Sequence, residues 1–155
     1  MKKLIAIALC FFVPFSTVAG DSGHNIRYDG GSLPDVKAGK GMKLYIDTAE
    51  LRLETKDENI AKIPTAWITE ISYGQDVHRR VGAAIGLAIV SLGIGALLAL
   101  SKSKKHFIGV TWANGEQKGG FAMQCDKSDY RGILAGLEGV TGKKAVNSDP
   151  LTVKN

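Results

Sequence analysis

Aromatic residues are scarce in this chain, at 7% of 155 residues, which leaves few platforms on which single-stranded nucleic acid could stack. Charge excess is also small. Lys and Arg number 20 against 15 Asp and Glu, a net +5, and much of it sits around one segment. That is too mild for a nucleic-acid binder that works by charge. Cysteine is nearly absent, with only Cys10 and Cys125. The three histidines, His24, His78 and His106, have no partners at metal-ligand spacing and read as surface or interfacial residues. No Gly-x-Ser-x-Gly elbow occurs. The stretch Gly139 to Lys144 has the composition of a phosphate loop, but it ends a helical pattern rather than following a strand and opening a helix. The expectation is therefore no catalytic residue, no metal, no cofactor and no nucleic-acid partner. Charged residues at 23% and hydrophobic residues at 45% exclude a wholly disordered polymer and suit one domain of ordinary size.

The first twenty residues have the three-part plan of a bacterial-type secretory signal. Met1, Lys2 and Lys3 make a basic start, Leu4 to Val13 is apolar, Pro14 breaks the run, and Ser16 to Gly20 are small. An uncleaved anchor is the alternative, but a run of about ten residues is short for a hydrocarbon layer about 30 Å thick. Removing residues 1–20 leaves 18 basic against 15 acidic residues, a net +3. It also leaves Cys125 alone, so the mature chain has no internal disulfide and no cysteine-based zinc site. Cys125 then reads as a small buried hydrophobe at a strand end. The expected destination is the periplasm or cell envelope.

Most of the remainder has the two-residue period of strands with one wet face. Residues 24–28 form a first strand, and 37–41 are a flexible connector. Leu44 and Ile46 alternate with polar neighbours, as do Leu51 and Leu53 beyond the Asp47-Thr48 corner. Short strands follow at 60–63 and 67–73. Ile108, Val110 and Trp112 alternate up to Asn114-Gly115, a two-residue hairpin signal because a type I′ turn needs positive φ at both positions. The return strand carries Phe121, Met123 and Cys125 on one face. Tyr130, Ile133, Leu134, Leu137 and Val140 recur at helical spacing behind an N-cap at Asp126 or Ser128, and Gly142 ends that helix. Gly132, Gly136 and Gly139 weaken it by about 1 kcal/mol each, which close packing against the sheet would offset. Residues 146–155 read as a flexible tail. Trp67, Tyr73 and Trp112 read as core or interface aromatics. Strands that precede the helix, rather than alternating with it, argue for an α+β, mainly β domain.

Residues 81–100 interrupt this pattern with twenty residues that include one hydroxyl, Ser91, and no charge. As one helix they would be about 30 Å long, one hydrocarbon thickness. Arg79 and Arg80 precede the stretch, and Lys102, Lys104 and Lys105 follow it. Those basic residues are the expected lipid-contact positions, each worth about 1 kcal/mol near anionic headgroups. Gly82 and Gly86 form a small-xxx-small pair suited to helix packing. Three readings follow: a straight membrane span, a re-entrant finger bent near Ser91 to Gly95, or a buried helix. Pairing between copies through Gly82 and Gly86 would give a homo-oligomer instead. If strands on both sides of the stretch share one sheet, both ends must emerge on one side of a membrane, which excludes the straight span.

The order "KLYIDTAELRLE", "IPTAWITEISYG", a basic-flanked apolar insert, "HFIGVTWANGEQKGGFAMQ" and "DKSDYRGILAGLEGVTGKK" resembles small exported bacterial proteins of unassigned function with a pleckstrin-homology-like (PH-like) core. The resemblance covers roughly residues 25–145. It implies a strongly bent antiparallel sheet or roll closed at one end by a C-terminal helix, with an inserted apolar helical segment in an inter-strand loop. On that expectation residues 21–145 are one PH-like domain interrupted at 81–100. The protein would be a non-enzymatic, membrane-associated binding or scaffolding module whose partners are membrane lipids.

Overall fold

The computed structural model describes residues 22–86, 105–115 and 117–149. Residues 1–20, expected to be an export signal, and residues 87–104, with Lys102 and Lys104, lie outside them.

Strand β1 is His24–Gly31, β2 is Gly41–Ile46 and β3 is Glu50–Glu54. The predicted hairpin is present: Leu44 faces Leu53 and Ile46 faces Leu51, while Lys43 opposes Glu54 and Tyr45 opposes Arg52. The period of two puts each set on its own face, so the leucines are buried and the charged set stays at the surface. Strand β4 (Asn59–Pro64) follows, then a 3-10 turn at Thr65–Trp67 and strand β5, Ile68–Tyr73. Helix α1 is Val77–Ile85. Beyond the undescribed stretch come β6 (His106–Asn114), β7 (Gln117–Cys125), helix α2 (Tyr130–Thr141) and the two-residue β8, Val146–Asn147.

The strands form one sheet in the order β4-β3-β2-β1-β7-β6-β5-β8. All pairings are antiparallel except β5 with β8. The sheet is curled. Strands β4 and β5 stand six places apart in that order, about 29 Å on a flat sheet at about 4.8 Å per strand. Only the turn Thr65–Trp67 joins them, and four residue steps reach at most about 14 Å. Side chains from both ends, Leu53 and Ile63 on one and Ile68 and Ile108 on the other, accordingly share a core with Ile133 and Leu137 of α2.

Helix α2 ends where Gly142 takes φ 67° and its N–H donates to the Glu138 carbonyl. Its N-cap is Asp129, not Asp126 or Ser128. The Asp126 carbonyl instead accepts from the Asp129 and Tyr130 N–H groups at 3.1 and 3.0 Å, a turn that carries the chain one step further before the helix opens. Of the three helix glycines Gly136 sits nearest the sheet, where a Cβ would come 3.1 Å from Ile46, and one on Gly132 would come 3.8 Å from His24. Gly139 faces open space. The stretch read as a tail contributes β8, fixed by Ser148, whose N–H and hydroxyl both donate to the Tyr73 carbonyl at 2.8 and 2.7 Å. No hydrophobic pattern announces such an attachment, because it is made by backbone and polar groups.

Strand β6 pairs with β5, and β7 pairs with β1. The chain on either side of residues 87–104 therefore belongs to one body, and a straight span over 81–100 is excluded. The described helix there is also wrong for a membrane. Among the described residues no helix is long and apolar enough to cross one. Helix α1 has nine residues, about 14 Å. It carries His78, Arg79 and Arg80, and it covers Val81 and Gly82 with the chain's own sheet. The transmembrane or re-entrant helix expected from the apolar run is corrected accordingly. Its first residues are the C-terminal half of an amphipathic helix that begins four residues earlier, and 87–100 lie outside the described residues.

Candidate functional site

Helix α1 lies across the outer face of the sheet, chiefly on β6 and β7. Its apolar stripe, Val77, Val81 and Ile85, packs on Phe107 and Ala122, a cluster separate from the main core. The seat exists because two facing positions have no side chain. A Cβ on Gly109 would lie 2.6 Å from Val77 Cγ1 and 2.7 Å from Val81 Cγ2, and one on Gly120 would lie 3.0 Å from Val81 Cγ1. Glycine there lets the helix axis approach the strands closely.

Charged groups tie both flanks of the helix. On one side Arg80 donates to both carboxylate oxygens of Glu70 on β5, at 3.0 and 3.1 Å. On the other side His78 Nε2 is in direct contact with the Asp29 carboxylate on β1, and the Phe107 ring stands edge-on to the imidazole. Asp29 is placed by a β-bulge: Tyr28 pairs with Met123 and Gly30 with the adjacent Ala122, so Asp29 is the extra residue. A bulge of this kind re-aims a side chain. Both groups are largely buried. Burial pushes the Asp29 carboxyl up from its ordinary value, against the His78 and Lys105 charges that favour the carboxylate. Burial pushes the His78 imidazolium down, opposed by Asp29 and Asp76. Burial thus disfavours the charge on each group, and the charge of each partner offsets part of that cost for the other.

The lipid-contact residues expected from sequence fall in different settings. Arg79 is exposed, whereas Arg80 is engaged by Glu70. Gly82 is buried against the sheet, and Gly86 is the left-handed C-cap of α1 at φ 70°. The Gly82 face that would pair copies in a homo-oligomer is thus already covered by the chain itself. Lys105 opens the return into β6, and its carbonyl accepts from Gln75 Nε2 at 3.3 Å, which ties the two ends of the insertion to one body. Asp29 and Glu70 were not singled out from sequence. The available signal was an acid in a strand just before Gly30-Gly31, the usual setting of a bulge.

The other groups capable of chemistry are used in packing. His106 stacks on Tyr130 at 4.4 Å between ring centroids, and Tyr73 meets the same ring edge-on. Trp112 packs partly buried against the main core, while Trp67 keeps 36% of its surface exposed. Cys125 is buried at the end of β7, and burial, reinforced by Asp129 and Asp126, pushes its thiol up to about 12. Among the described residues no three His, Cys, Asp or Glu side chains are grouped as metal ligands. No family model matches the chain, and no curated protein matches it in sequence.

Proposed function

We propose that this chain is an exported, non-catalytic module of the cell envelope, built on a PH-like core, that acts by binding or scaffolding. The observation that carries the reading is the single sheet formed by strands on both sides of residues 87–104. The described chain up to Gly86 and from Lys105 onward belongs to one folded body, so that stretch does not join two separate ones. A four-strand meander, a three-strand meander and one helix on the shared core support the PH-like reading. His78 in its contact with Asp29, His106 on Tyr130 and the buried thiol of Cys125 are each engaged in packing, which supports a binding role over a catalytic one.

In this reading the hold on an anionic membrane surface is peripheral. Exposed Arg79, with Lys102 and Lys104 outside the described residues, supplies attraction that salt screens. The test is fractionation of cells that make the full chain or a form with 87–104 replaced by a short Gly-Ser linker. The full chain is expected with the membranes at low salt and in the supernatant at high salt. The linker form is expected in the supernatant throughout, with unchanged circular dichroism. Identical partitioning of the two folded forms overturns the proposal.

A further inference from the structure

The outer face of β1–β3 carries a groove of about 520 Å³, away from α1. That is within the range of small-molecule sites, roughly 300–1,000 Å³. Its lining includes Ile26, Met42, the Tyr45 ring, Lys43, Glu54 and Lys56. The opening owes its depth to Gly41. Gly41 shares the outward face with Lys43 and Tyr45 by the period of two, and a Cβ built on it would meet nothing within 4 Å. Tyr45 is held at one end, with the Arg52 guanidinium 4.8 Å from its ring centroid.

The charges in the groove are not balanced. Glu54 is engaged by Arg52, which donates to it at 3.2 Å. Lys43 and Lys56 have no carboxylate within ion-pair distance among the described residues. Two ammonium groups without an ion pair thus border an aromatic wall and the open strand surface at Gly41. An ammonium stem covers apolar surface while its head stays available to a counter-charge.

We propose that this groove binds a small anionic amphiphile, its apolar or aromatic body lying over Gly41 against the Tyr45 ring and its anionic head between Lys43 and Lys56. The proposal names a ligand class for the binding module inferred above, and it uses none of the residues around 87–104. Failure here leaves the fractionation result standing, and the reverse also holds.

The test uses the full chain and a matched pair of probes, 1-anilinonaphthalene-8-sulfonate and N-phenyl-1-naphthylamine, which share their rings and differ in the sulfonate. Saturable fluorescence enhancement is expected for the sulfonate, at least about tenfold tighter than for the neutral probe. Octanoate should displace it and octanol should not. Gly41→Trp should plug the groove and weaken binding at least about tenfold. Gly41→Leu is the milder plug should the larger one disturb folding, with circular dichroism as the check. Paired Lys43→Glu and Lys56→Glu should weaken the sulfonate and spare the neutral probe, while Lys62→Glu on β4 should change neither. Equal affinity for the two probes, or sulfonate binding that survives a folded Gly41 plug, overturns the proposal.

Discussion

On the inner face of the sheet, burial is continuous: Leu44, Leu51, Leu53, Ile71, Phe121 and Met123 from the strands meet Ile133 and Leu137 of α2. On the outer face the covered area is small, with one apolar cluster of Val77 and Val81 from a short helix on Phe107 and Ala122 from the sheet. The inner face is held by apolar area. The outer face is held by a close glycine seat and by two charge contacts at the helix flanks. The comparison teaches that the first face sets whether the chain folds. The second sets where α1, and with it the start of residues 87–104, is held.

The largest expected effect is on the inner face. Leu137→Ala leaves a cavity in the main core and should cost about 2–5 kcal/mol, read from urea unfolding. A smaller loss would mean that α2 can collapse onto the sheet. Next, Gly109→Val forces a branched side chain against Val77 and Val81 and should cost about 1–3 kcal/mol. Amide exchange should speed up in α1 and stay slow in β2 and β3. Equal acceleration in both would show that the two faces unfold as one unit.

The charge contacts have smaller effects. Asp29→Asn removes the carboxylate that opposes the burial-driven drop of the His78 imidazolium, so the titration of His78 should move further down. The unfolded chain protonates this group near about 6.5. The variant's stability is therefore complete above that value and is lost as pH falls below it, more steeply than in the native chain. Proton NMR of the imidazole and unfolding at pH about 7.5 and about 5 measure both parts. An unchanged His78 titration would dissolve the tie between α1 and β1. The smallest effect belongs to Arg80→Ala. Its pair with Glu70 is more than a third exposed on both sides, so solvent screening holds the cost below about 1 kcal/mol in thermal or urea unfolding.

The inner face was legible in sequence. Leu44 with Leu53 and Ile46 with Leu51 are visible as alternation on two arms of a hairpin, and Asn114-Gly115 announces the β6–β7 turn one residue early, since Asn114 still pairs with Gln117 and only Gly115 of the two has a positive φ. The stripe from Ile133 to Val140 and the stop at Gly142 announce α2. The outer face was not. The apolar run from Val81 drew attention to itself, but α1 begins at Val77 and uses Val81 on the sheet. The partners that place it, Asp29 and Glu70, lie on different strands, and the seat itself is an absence of side chains at Gly109 and Gly120. The groove at Gly41 is likewise visible only as space.

The amino-acid sequence by itself determined strands β1 to β7, the closing helix and the side of each that turns inward, because alternation and helical spacing are local and burial of apolar area rewards one arrangement of them. Only the tertiary structure decided that the two halves of the chain share a curled sheet, that α1 is seated on its back, and that Asp29 meets His78. Those outcomes depend on pairs of residues distant in the chain and on a bulge whose effect is to turn one side chain. No local period carries that information.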